Sequence, residues 1–333
     1  MYVDLHDEAL MAYRSGQPDP PDFDAFWSAT LATSRSLARP PVAELHESPL
    51  RSVDIYDVRF SGFGGQRVSA WLRIPCGATE PLPLIVEFVG YGGGRGLPED
   101  CLFWASCGFA HLHVDVRGQG AEWSVGDTPD EASIGPHSPG MMTAGIEDRD
   151  NYYYRRLITD SVLAVDSASD LPFVDPSRIT VLGTSQGGGL ALSVAGLSPQ
   201  VSALVTYVPF LCDFPRAITI TDRGPYKEIS RYLAVHRSRE AQVLETLRYF
   251  DGVNFAKRAI APAFFTTALM DDTCPPSTVV GAFHAYAGPK RIKIWTHNGH
   301  EGGGRDDDVE VARGLHANGP ESVSREPDPG QHA

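Results

Sequence analysis

The sequence predicts an α/β fold on a mostly parallel central sheet with helices on both faces, and two observations predict it. From Pro83 onward, short continuous apolar runs alternate with helix-compatible stretches, the pattern of strands covered on both faces. The runs are Leu84–Val89, Ala110–Val116, Ile179–Leu182, Val201–Val205, Ala263–Leu269 and Ile292–Trp295. The third of them leads straight into a glycine-flanked serine, Gly183-Thr-Ser185-Gln-Gly187-Gly-Gly189, followed by the helix-compatible Leu190–Ala195.

Before that sheet pattern, Asp22 precedes Phe23, Phe26, Trp27 and Leu31 at helical spacing, which predicts a capped amphipathic helix. Residues 1–45 therefore read as a leader packed on the core, and 46–317 as the main domain. Residues 51–75 alternate around Gly62, Gly64 and Gly65 as a hairpin does. Two stretches interrupt the sheet pattern: a loop-rich insertion at about 121–156 and a helical, loop-rich segment at about 208–257 that suits a lid. The Gly-, Asp-, Pro- and Ser-rich end predicts a disordered acidic tail over 318–333. No repeat of 20 to 50 residues is present, which excludes solenoids and propellers.

Composition narrows the partners. The 333 residues are 42% hydrophobic and 21% charged, a globular profile. A net charge of −14 disfavours nucleic acid and anionic membrane surfaces. Residues 301–333 hold eight acidic side chains against three arginines, and such an acidic end is expected to be solvated. No apolar run approaches a membrane span and the start lacks the order of a signal peptide, so a soluble, cytoplasmic protein is expected. Five cysteines without CxxC spacing read as reduced, mostly buried thiols.

Strand, then GxSxG, then helix is the nucleophile elbow of an α/β-hydrolase, where small neighbours are needed because the serine sits in a strained turn. The GxGxxG pattern of a dinucleotide loop is absent from this segment. A serine hydroxyl needs a base and an orienting acid, and in this fold they follow in the order Ser, Asp or Glu, His, on loops after later strands. One such loop holds Asp271 and Asp272, and the next holds His297 and His300. Spacing leaves both choices open. HxxH without a third ligand at suitable spacing does not predict a metal, and no cofactor is expected. His111 and His113 fall inside a strand and read as sheet residues. An oxyanion hole would take the N–H of Gln186, after the serine, and one from Gly90-Tyr91-Gly92-Gly93-Gly94, where Tyr91 is the candidate.

With these residues in place, the chain resembles carbohydrate esterase family seven, the acetyl xylan esterase and cephalosporin C deacetylase group, over about residues 2–301. The resemblance rests on Gly90–Gly96, Arg117-Gly-Gln-Gly120, Gly183–Gly189, Leu269–Thr278 and His300-Glu301, with support from the leader helix and the Phe60–Arg67 hairpin. It implies Ser185 as nucleophile, Asp271 as acid, His300 as base, and Tyr91 and Gln186 as oxyanion donors. Phe210 resembles a residue that closes a small acyl pocket, and Arg117–Gly120 an architectural segment. The family deacetylates small acetylated sugars and cephalosporin C, is intracellular, and assembles as hexamers, with residues of about 135–156 as an interface insertion. The same fold and triad also serve peptidases, thioesterases, lipases and general carboxylesterases, and a non-catalytic binding protein is the reading outside enzymes. One departure stands out: after His300-Glu301 the family continues into an apolar terminal helix, whereas here Gly302–Asp308 follows and only Val309, Val311, Ala312 and Leu315 suit a short one.

Overall fold

The computed structural model describes residues 1–131 and 140–325. Its strands are β1 (Val42–His46), β2 (Val53–Ser61), β3 (Arg67–Pro75), β4 (Leu82–Phe88), β5 (Ala110–Val114), β6 (Val174–Thr184), β7 (Val201–Tyr207), β8 (Ala263–Ala268) and β9 (Lys290–Trp295). They form one sheet in the order β1-β2-β3-β5-β4-β6-β7-β8-β9. The pairs from β1 to β3, and β3 with β5, are antiparallel; every pair from β5 onward is parallel.

The helices are α1 (Asp7–Ala12), α2 (Phe23–Ser36), α3 (Phe103–Ser106), α4 (Tyr153–Asp166), α5 (Gln186–Leu197), α6 (Phe214–Ile220), α7 (Tyr226–Val235), α8 (Glu240–Leu247), α9 (Gly252–Ala256), α10 (Pro276–Ala285) and α11 (Arg305–Asn318). They cover both faces of the sheet. Along β4, Leu84, Val86 and Phe88 enter the apolar cluster shared with α2, α4, α5 and α9, while Ile85 enters the cluster shared with α3 and α11. In β6, Ile179 and Val181 join the first cluster and Leu182 the second. Two dry faces explain why these strands read as mostly apolar runs instead of strictly alternating ones.

Several expectations need correction. Strand β1, unforeseen in the leader, pairs with β2 at the sheet edge, and its residues are largely exposed, so no apolar alternation marks it. Helix α2 forms and buries Phe23, Phe26, Trp27 and Leu31, but the Asp22 carboxylate makes no cap; it binds Arg149 and the Tyr249 hydroxyl instead. All five cysteines are unpaired, yet only Cys212 and Cys274 are buried, while Cys76 and Cys101 are exposed.

The largest correction lies at the C-terminal end. A 14-residue helix, α11, forms there, and only Val311 and Ala312 of its apolar residues are fully buried. Disorder does not begin at about 318: Pro320–Ser324 make a 3-10 turn that buries Val323 against the same cluster. Residues 326–333 of the expected tail lie outside the described residues. Nor is the acidic segment simply solvated. Asp307 accepts from the Trp295 indole at 3.1 Å and pairs with Lys293 at 3.2 Å; Glu310 pairs with Lys293 at 2.7 Å and Arg291 at 2.6 Å. The helix docks on β9 largely through charge. Among the described residues no helix is long and apolar enough to cross a membrane.

Candidate active site

Ser185 stands between β6 and α5 at φ 58° and ψ −121°, a strained conformation for a residue with a Cβ. The turn around it is closed by backbone: Ser185 N–H donates to Tyr207 O at 3.0 Å, and Ser185 O accepts from Phe210 N–H at 2.9 Å. Crowding accounts for the glycines. A Cβ on Gly187 would lie 1.9 Å from Phe88 O, and one on Gly183 would lie 2.2 Å from the Gly187 carbonyl carbon.

The loops after β8 and β9 bring Asp271 and His300 together, with His300 Nδ1 2.9 Å from Asp271 Oδ2. Asp271 is fully buried, and its other oxygen accepts the N–H groups of Thr273 at 2.9 Å and Cys274 at 2.8 Å. The two loops are tied by Met270 N–H on Asn298 O at 3.1 Å. Glu301 folds back to accept Gly299 N–H and the Asn298 amide, which braces the turn bearing His300. The alternatives that spacing left open go elsewhere: Asp272 is half-exposed and paired with Arg223 at 2.7 Å, and His297 is exposed.

Ser185 and His300 line one cavity of about 590 Å³ together with Gly90, Tyr91, Trp123, Pro225 and Glu228, among others. That size suits a small organic ligand. The loop after β4 runs against the serine: a Cβ on Gly90 would lie 4.0 Å from Ser185 Cβ. Gln186 opens α5, so its N–H has no acceptor inside the helix. Its carboxamide is buried, accepting from the Tyr154 hydroxyl at 2.9 Å and Gln119 Nε2 at 3.1 Å and donating to Val89 O at 3.2 Å. Phe210 does not line the cavity; it is buried behind it, 4.2 Å from the Tyr226 ring centre and 6.5 Å from that of Tyr91.

The Arg117–Gly120 segment is a brace. Arg117, fully buried, holds Asp160 through two bonds of 2.5 and 2.7 Å, and its carbonyl accepts the Tyr153 hydroxyl at 2.6 Å. Gln119 then reaches the loop after β4, accepting Gly92 N–H at 2.7 Å. Trp123 and Glu228 were not anticipated. Trp123 donates to Tyr91 O at 2.7 Å, and Glu228 accepts the Tyr91 hydroxyl at 2.8 Å. Burial, and then the Glu228 charge, push the Tyr91 phenol far above its ordinary range.

Asp271, Cys274 and His300 place ligand-type atoms within 4.8 Å of one another. The donor set nevertheless suits an acid–base pair better than a cation. Asp271 Oδ2 and His300 Nδ1 are each other's partner, Asp271 Oδ1 is taken by two N–H groups, and burial followed by the Asp271 charge keeps Cys274 a thiol. His111 and His113 are buried in β5, where His111 meets Glu87 at 2.8 Å.

A serine on a strained strand-to-helix turn, with an Asp–His pair from loops after later strands of a mostly parallel sheet, defines an α/β-hydrolase. Comparison with known proteins narrows the class. The chain belongs to the acetyl xylan esterase (AXE1) family, a family of carboxylic ester hydrolases whose model matches residues 1–315. It is similar to an acetyl xylan esterase from Paenibacillus sp. R4, 39% identical, covering 92% of this chain and 98% of that one with a TM-score of 0.86. It is also similar to acetyl xylan esterase 1 from Thermoanaerobacterium sp. JW/SL YS485, 32% identical over 92% of this chain and 97% of that one, TM-score 0.83. Acetyl esterase Axe7A of Xylanibacter ruminicola is 29% identical over 287 residues, which is 85% of this chain; the chain spans 64% of that protein's length.

Proposed function

We propose that the protein is a serine esterase that removes acetyl groups from small acetylated carbohydrates. The observation that carries this reading is the shared cavity: Ser185 on its strained turn and a His300 already hydrogen-bonded to a buried Asp271 face the same space. His300 Nδ1 is engaged by Asp271, so Nε2 is the nitrogen left to take the Ser185 proton as the hydroxyl oxygen attacks the acetyl carbonyl. Asp271 holds the ring in that tautomer and stabilises its cationic form. The N–H groups of Tyr91 and Gln186 receive the oxyanion. Collapse releases the sugar hydroxyl with the proton returned by His300, and water activated by the same histidine hydrolyses the acetyl-serine.

Tyr91 lines the cavity and is backed by Phe210, which packs on Tyr226, an aromatic wall that favours a small acyl group. Cephalosporin C, which also carries an acetyl ester, is a second substrate to assay. A hexameric assembly is part of the same proposal, and its mass in solution tests it. The catalytic reading is tested with p-nitrophenyl esters. Ser185→Ala is expected to lower kcat on the acetate by at least about 10⁴-fold, and the wild type to turn over acetate faster than octanoate. Retention of most activity by Ser185→Ala would overturn the mechanism, and preference for octanoate would overturn the small acyl pocket.

A further inference from the structure

Residue 91 is held at several polar handles around the N–H assigned to the oxyanion. Gly93 N–H donates to Gly90 O at 3.2 Å, closing a turn with Tyr91 and Gly92 at its centre, and Gly92 has φ 80°. Positive φ at the third position marks a type II turn, which differs from type I in the orientation of the central peptide. That peptide, Tyr91–Gly92, is gripped on both sides. The Trp123 indole N–H donates to its carbonyl at 2.7 Å, and its N–H donates to Gln119 Oε1 at 2.7 Å. The Tyr91 phenol is tied to Glu228 at 2.8 Å and accepts Met141 N–H at 2.5 Å. Gln119 also bonds the Gln186 carboxamide, so the residues supplying both oxyanion N–H groups share one network.

Trp123 is the unusual member. The residue is 62% exposed, so burial gives it little reason to be there. Yet the ring lies flush on the turn, since a Cβ on Gly93 would come 2.3 Å from it, and its single polar atom is used on Tyr91 O. We infer that Trp123 is a positioning residue, whose indole N–H holds the central peptide of this turn and thereby keeps the Tyr91 N–H aimed at the oxyanion. The inference rests on the reading of Tyr91 as an oxyanion donor. Such donors act by being oriented before the reaction, and a glycine-rich turn has little stiffness of its own.

A kinetic double-variant cycle on p-nitrophenyl acetate tests it. Trp123→Phe keeps a ring and removes the N–H. Tyr91→Pro removes the backbone N–H at a position where a type II turn favours proline, and Tyr91→Ala controls for the lost phenol. Trp123→Phe is expected to lower kcat about tenfold with KM changed by less than about twofold. Tyr91→Pro is expected to be about 100-fold slower than Tyr91→Ala. Adding Trp123→Phe to Tyr91→Pro is then expected to cause no further loss, because no N–H is left to orient. An unchanged kcat in Trp123→Phe, or an equal further loss in the Tyr91→Pro background, overturns the positioning role and leaves the reading of Tyr91 intact. A Tyr91→Pro no slower than Tyr91→Ala overturns that reading and the inference with it.

Methylboronic acid gives a readout that needs no Tyr91 variant. Its boron bonds to Ser185 Oγ as the hydroxyl proton passes to His300, leaving a tetrahedral anion with an oxygen at the oxyanion position. Binding to Trp123→Phe is expected to weaken about tenfold, in step with kcat. Unchanged binding overturns the inference.

Discussion

The turn that carries Ser185 and the helix α11 are both pinned to the sheet, by opposite means. Around Ser185 the constraint is steric. Backbone lies within 1.9 to 2.3 Å of where a Cβ would stand on Gly187, Gly183 or Gly189, so glycine alone fits. Around α11 the constraint is electrostatic. Asp307 and Glu310 reach down to Lys293, Arg291 and Trp295 on β9, and few apolar side chains help. The difference teaches where structure leaves a mark on sequence: a forbidden Cβ leaves an obligatory glycine, whereas a docked carboxylate looks like a solvated one.

Substitutions at the two sites separate these mechanisms. The largest effect is expected at the elbow, where Gly187→Ala forces a Cβ onto Phe88 O with no flexible side chain to yield. A loss of more than about 4 kcal/mol, read by denaturant unfolding, is expected; a loss below about 1 kcal/mol would break the steric account.

At α11 the effects are smaller and depend on pH. Burial, reinforced by the Glu87 charge, pushes the Asp308 carboxyl up to about 7. An acid whose pKa is raised by folding is protonated in both states below about pH 4, and the cost of ionising it in the fold grows as pH rises and is complete above about 7. Asp308→Asn is therefore expected to stabilise the protein by about 1 kcal/mol or more at pH 8 and to change little near pH 4, as read by melting temperature. Destabilisation at pH 8 would contradict that environment. Smallest of all, Glu310→Gln is expected to cost about 0.5–1 kcal/mol at pH 7, with the loss shrinking in high salt. A loss independent of salt would mean that packing, and not charge, docks the helix.

The same contrast explains what was legible beforehand. The six parallel-sheet runs and the serine elbow could be read because dry faces and tight turns restrict residue type. The loops bearing the acid and base could be placed after β8 and β9, but Asp271 and Asp272 are neighbours of one chemistry. Spacing cannot separate them; the family resemblance favours Asp271, and the fold supplies the physical reason, burying the first beneath two N–H groups and leaving the second on Arg223. Trp123 and Glu228 were missed because their partner, Tyr91, is 32 and 137 residues away, and nothing local to either announces the contact. Strand β1 was missed because an exposed edge strand carries no apolar pattern, and α11 was legible only as a short helix on its few apolar positions because its other anchors are charges that read as solvated.

The most direct test of the serine esterase reading is peptide mass analysis of protein quenched in acid during turnover of an acetyl ester. The peptide containing Ser185 is expected to gain the mass of one acetyl group, and fragmentation to place it on Ser185. An acetyl group on another residue, or steady turnover by Ser185→Ala with no acetylated peptide, would contradict it.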